Sequence, residues 1–183
     1  MKALANARDF TSRHGTLPLP GLGISWGRSP FPTLMRWDGA MAIDVGPAPL
    51  TLADVVAVAR GGETVRITDE SLAEMALSRA VIDGLASSPE PAYGVSTGFG
   101  ALATVHIPPE SRAHLQSSLI RSHAAGSGPL VEGEVVRATM LLRLHTLATG
   151  RTGVRPSTAQ AYAAMLNAGI CPLVHERADP GVE

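Results

Sequence analysis

The chain has 183 residues, enough for one ordinary domain or a domain with a long arm, and too few for two complete large ones. Hydrophobic residues at 45% against 17% charged predict a folded, core-forming chain, while 15 Lys and Arg against 16 Asp and Glu exclude the cationic excess that nucleic-acid binding calls for. No apolar run approaches a membrane span, and the single Cys171 excludes an internal disulfide or a multi-thiolate zinc site, which fits a reducing, cytoplasmic setting and a small buried apolar side chain.

Residues 1–46 differ from the rest. Four of the seven aromatics lie here, Phe10, Trp26, Phe31 and Trp37, among prolines and glycines and without helix or strand period. This segment reads as an N-terminal extension, disordered or the result of a start placed too early, with Met41 an alternative start. A partner-binding arm anchored by its Trp residues is the other reading.

From Pro47 the punctuation becomes regular. Thr51-Leu52-Ala53-Asp54 has the capping-box form and predicts a short helix with Leu52, Val55, Val56 and Ala59 on its inner face, stopped by Gly61 and Gly62. Alternation around Val65 and Ile67 predicts a brief strand. Thr68, followed by Asp69 and Glu70, opens a helix to about Leu85. Its two apolar stripes, Leu72, Met75, Ala76 and Ile82 on one side and Leu77, Val81 and Leu85 on the other, predict cover on both sides.

Pro109 starts a further helix through Leu115, Leu119 and Ile120. Val135 to Leu147 is apolar nearly all round and predicts a buried helix ended by Gly150 and Gly153. Pro156 opens a last helix with Tyr162, Met165 and Leu166 inward, closed by Asn167, Gly169 and Pro172. The fold class is mainly α, with a short β element near Val65–Ile67.

The chemistry concentrates between these helices. The six histidines, His14, His106, His114, His123, His145 and His175, show no paired metal-ligand spacing, so no metal is expected. Gly94-Val95-Ser96-Thr97-Gly98 has the form of a hydrolase nucleophile elbow, and Gly98 to Ala103 that of a relaxed dinucleotide fingerprint. Neither has the strand before it and the helix after it that the chemistry requires. What remains is a glycine-rich loop that lets backbone approach a ligand, with Tyr93 at its entrance. Its phenol becomes a base only if its pKa falls from near 10, and a packed tyrosine with a satisfied hydroxyl is the plainer reading.

Four blocks, Tyr93-Gly94-Val95-Ser96-Thr97-Gly98-Phe99-Gly100, Arg121-Ser122-His123-Ala124-Ala125-Gly126, Thr152-Gly153-Val154-Arg155-Pro156 and Leu166-Asn167-Ala168-Gly169-Ile170 with Pro172, resemble successive blocks of the aromatic amino acid ammonia-lyases, most of all the members acting on histidine. The order and spacing agree from about Pro47 to Glu176. The resemblance implies a mainly helical homotetramer of the fumarase and aspartase superfamily, with each active site built from several subunits. It also implies non-oxidative loss of ammonia from L-histidine to give urocanate, the first step of histidine breakdown. By resemblance Tyr93 is the base, His123 contacts the substrate side chain, and Gly94, Gly98, Phe99 and Gly100 form the active-site loop. A polar-ring substrate suits His123, since a buried imidazole wants a hydrogen-bond partner. Tyrosine or phenylalanine lyase and aminomutase activities are the alternatives within the family.

The family's electrophile, methylidene-imidazolone, forms from an Ala-Ser-Gly or Cys-Ser-Gly triplet. After Val174-His175-Glu176 the family pattern continues towards that triplet, whereas this chain reads Arg177-Ala178-Asp179-Pro180-Gly181-Val182-Glu183. The expectation is therefore 47–176 as the N-terminal part of a lyase domain, 177–183 as a divergent tail, and an interrupted gene or frameshift as the origin. Pyridoxal phosphate is no substitute, because its Schiff base needs a lysine and Lys2 alone is present. Such a fragment is expected to be inactive by itself. Two other classes compete: a non-catalytic remnant that binds intact lyase subunits, and a serine hydrolase using Ser96.

Overall fold

The computed structural model describes residues 42–177, so the expectations placed on residues 1–41 and on 178–183 lie outside the described residues. Two short parallel strands begin the fold, β1 (Ile43–Val45) and β2 (Val65–Ile67), with Ile43 opposite Val65 and Val45 opposite Ile67. Val45 in β1 is fully buried, so the described fold includes residues that precede Pro47. Asp44 and Arg66, facing each other across the pair, join through two hydrogen bonds of 2.9 and 3.0 Å.

Helix α1 (Leu52–Val56) connects the strands and widens into a π-turn (Ala57–Gly61) that ends on Gly62 at φ +75°. The capping box is present: the Thr51 hydroxyl accepts from Asp54 N, and the Asp54 carboxylate accepts from Thr51 N. The Thr51 hydroxyl also donates to Asp54 Oδ2 at 2.7 Å, and this bond, with the one from Thr51 N, holds Asp54 below its ordinary pKa. The expected inner face is corrected. Leu52 and Val56 point outward, while Val58 and Ala59 are buried, because the π-turn brings the next two residues under the strands and α4 instead.

Helix α2 (Asp69–Ser87) is capped by the Thr68 hydroxyl, which accepts from Ser71 N. Met75 is fully buried and Leu72 packs against the core. The second stripe is corrected: Leu77 is 65% exposed, and Val81 and Leu85 are exposed with it, so the described residues cover α2 on one side. Asp83 on α2 is held below its ordinary pKa by its hydrogen bond to Arg79.

Helix α3 (Pro109–His123) has no buried residue and is tethered through Arg112, whose guanidinium donates to the carbonyls of Ile107 at 3.0 Å and Ala86 at 2.9 Å. A second pair, antiparallel, follows from β3 (Ser127–Leu130) and β4 (His175–Arg177). Neither was expected from the sequence.

The core gathers on α4 (Gly133–Ala148), against α5 (Pro156–Asn167), the π-turn and α2. Leu141, Leu144 and Leu166 are fully buried, each contributing about 1.5–3 kcal/mol relative to exposure. Helix α4 is buried along one face, with Val135 and Leu142 exposed. On α5, Ala159, Ala163 and Leu166 face inward and Met165 outward, correcting the expected inward Met165. Arg137 clamps this core, donating from Nε and Nη2 to the Val58 carbonyl and from Nη1 to that of Leu166. Cys171 is half-buried and packs against the core.

Candidate active site

The loop between α2 and α3 carries Tyr93. Its shape comes from the Ala92 carbonyl, which accepts the amides of Val95, Ser96 and Thr97 at 3.0, 2.9 and 3.3 Å and so folds the chain into a tight turn. Gly94 sits at φ +69°, where an added Cβ would lie 3.0 Å from Phe99 Cε1; glycine here both permits the left-handed backbone and leaves room for the Phe99 ring. Phe99 meets Tyr93 edge to face, with centroids 5.9 Å apart and planes at 83°. Gly98 is buried against Leu102, and Gly100 opens a 3-10 turn to Leu102.

Tyr93 itself is 65% exposed, so its phenol faces out of the turn rather than into packed hydrocarbon. Ser96 is fully buried and its Oγ accepts from Ala92 N at 2.9 Å, which removes it as an exposed nucleophile. The segment from Gly98 returns as a bridge between Thr97 and His106, not as a phosphate-binding strand-to-helix turn.

His123 ends α3. Its Nδ1 is 2.9 Å from both the Leu119 carbonyl and the Ser122 hydroxyl. A carbonyl only accepts, and the Ser122 hydroxyl also donates to it at 2.9 Å, so this network assigns the neutral ring's hydrogen to Nδ1. Nε2 is then an acceptor with no hydrogen-bond partner among the described residues.

His123 lines an open groove of about 440 Å³ with Ala124, Ala125, Gly126, Leu173, His175 and Arg177. The β3–β4 pair builds its far wall: His175 Nδ1 donates to the Gly128 carbonyl at 2.8 Å, and the Arg177 side chain packs on Gly128. Sequence reasoning missed this wall, because Ser127-Gly128-Pro129-Leu130 has no strand alternation. Tyr93 is not among the residues lining the groove, so the described residues place the two expected site residues on separate elements and do not close one cavity around both. Among the described residues no group of three acidic, cysteine or histidine side chains converges as a metal site.

Residues 50–181 match the aromatic amino acid lyase family. The chain is 59% identical over 132 residues to a histidine ammonia-lyase of Streptomyces coelicolor, a match covering 72% of this chain and 26% of that one. Among solved structures it is similar to a tyrosine aminomutase of Streptomyces globisporus, with TM-score 0.71 and 37% identity over 76% of this chain and 26% of that chain. It is likewise similar to a histidine ammonia-lyase of Trypanosoma cruzi, with TM-score 0.69 and 34% identity over 76% of this chain and 27% of that chain. The chain spans about a quarter of the length of the curated relatives it matches.

Proposed function

Because this chain belongs to the aromatic amino acid lyase family, we propose that the enzyme it forms part of removes ammonia from L-histidine without oxidation, leaving urocanate. The observation that carries the substrate is the 59% identity to a histidine ammonia-lyase, which includes the chain's Tyr93 and His123 regions within the matched span. The elimination takes a proton from the β-carbon, uses the C–H electron pair to form the Cα–Cβ double bond, and expels ammonia from the α-carbon. Tyr93 is the base for that proton: its phenol oxygen is open to a ligand and its ring is held by Phe99. His123 reads the substrate ring, its Nε2 accepting the imidazole N–H. Phenylalanine offers that acceptor no N–H, which favours the imidazole ring over it.

Ammonia is a poor leaving group, and in this family the electrophile that activates it is methylidene-imidazolone. The residues present do not fit that group. No Ala-Ser-Gly or Cys-Ser-Gly triplet occurs in these 183 residues: Cys171 is followed by Pro172, and Ala86-Ser87 by Ser88 at the end of α2. These 183 residues alone are therefore expected to form no urocanate. The exposed apolar face of α2 supports assembly with further protein, in the manner of a homotetramer. A cytoplasmic setting fits the lone cysteine; among the described residues no helix is long and apolar enough to cross a membrane.

The test is a chimera in which residues 50–176 replace the matching segment of the Streptomyces coelicolor relative. The chimera is expected to form urocanate from histidine, to lose turnover by 10²-fold or more, of the order of general-base catalysis, on Tyr93→Phe, and to lose discrimination between histidine and phenylalanine on His123→Leu. Full turnover by Tyr93→Phe, or a preference for tyrosine over histidine in the unsubstituted chimera, would refute the reading.

A further inference from the structure

The Ser96-Thr97 pair fails as part of a nucleophile elbow, yet its two hydroxyls are among the least exposed polar side chains of the described residues, at 0% and 3%. A buried hydroxyl is costly unless it is hydrogen-bonded. Both are bonded, and to the two residues flanking Tyr93. Ser96 Oγ accepts from Ala92 N at 2.9 Å. Thr97 Oγ1 accepts from Gly94 N at 3.3 Å and donates to the Gly98 carbonyl at 3.1 Å.

The pair is itself anchored. Ile107 N donates to the Ser96 carbonyl at 2.8 Å, and Gly98 N to the Val105 carbonyl at 3.2 Å, so the returning segment holds the two residues from outside the turn. The Tyr93–Gly94 peptide is thus held by the Thr97 side chain and the Pro91–Ala92 peptide, one further back, by that of Ser96, while the Tyr93 ring has one aromatic neighbour among the described residues, Phe99. We propose that Ser96 and Thr97 are positioning residues that fix the Tyr93 backbone and thereby aim its hydroxyl at the substrate, an inference that rests on the role of Tyr93 given above. Accurate placement matters to a base because a shift of about 1 Å is enough to cost roughly 10²-fold in rate.

Two measurements test this. In the 183-residue chain, Thr97→Val keeps the shape and removes the hydroxyl. Exchange of the Gly94 amide is expected to speed up roughly tenfold, the factor of one neutral hydrogen bond, and the Tyr93–Phe99 ring contact to weaken in NMR spectra. Ser96→Ala is expected to do the same at the Ala92 amide, and Thr97→Ser to retain the parent behaviour. In the chimera, Thr97→Val is expected to lower kcat about tenfold or more with KM little changed, and Thr97→Ser to restore it. Unchanged exchange and ring contact would overturn the brace. So would an unchanged kcat in Thr97→Val alongside a severe loss in Tyr93→Phe. Full activity in Tyr93→Phe also overturns the inference, but by removing the base itself, and so marks failure of the underlying reading rather than of the brace.

Discussion

Gly150 sets how closely α4 approaches α2, and replacing it with alanine gives a loss that follows from the structure. It lies beyond the end of α4 at φ +72°, and an added Cβ would stand 2.7 Å from Glu74 Cβ, 3.1 Å from the Glu74 carbonyl carbon and 3.3 Å from Met75 N. The left-handed backbone costs an L-residue about 1–2 kcal/mol. Overpacking against helix backbone, which has no rotamer by which to retreat, adds about 1–3 kcal/mol. Gly150→Ala is therefore expected to destabilise by roughly 2–5 kcal/mol, a large share of the ~5–15 kcal/mol typical of a folded domain. Gly169→Ala supplies the control: φ there is +69°, nothing lies within 4 Å of the added carbon, and only the backbone cost of about 1–2 kcal/mol is expected. Urea unfolding followed by far-ultraviolet circular dichroism compares the two variants at a common slope. Equal losses would refute the close approach of α4 to Glu74, because backbone strain alone would then account for both.

Two further outcomes follow from polar contacts. Asn167 donates through Nδ2 to the Val65 carbonyl at 2.9 Å and accepts through Oδ1 from Val65 N at 2.8 Å, acting as a third strand beside β2; Asn167→Asp turns the donor into an acceptor facing a carbonyl, and a loss of about 1–3 kcal/mol is expected in the same urea assay. The folded pKa of Asp54 is lowered below 3.8 by its bonds from the Thr51 hydroxyl and amide, so its carboxylate supports the α1 cap fully above that value and the support disappears as pH falls through the lowered folded value. Amide exchange at Thr51 and Asp54 should rise across that acid window, and Asp54→Asn should abolish the pH dependence.

Helix starts were legible because their causes are local. The Thr51 box, the Thr68 cap, Pro109 and Pro156 each mark the start within three residues of sequence, and α1, α2, α3 and α5 begin there. Strands β1, β3 and β4 were not legible, because three or four residues carry too little pattern and their partners lie far along the chain: Ser127 is paired with Arg177. The Tyr93 loop shows the same division. Its glycines and tyrosine mark a candidate site, but whether the Ser96 hydroxyl is exposed for attack or buried against backbone depends on which amide it meets, and no spacing rule contains that. Apolar periodicity is a third case. The stripe of Leu77, Val81 and Leu85 says that these residues share one face of α2, and it is right about that. It does not say what covers the face, since a sequence is selected in its whole assembly while exposure counts only the atoms present. In a chain that spans about a quarter of its relatives' length, a stripe that is regular in sequence yet open in structure is where a periodicity reading and a burial reading should part.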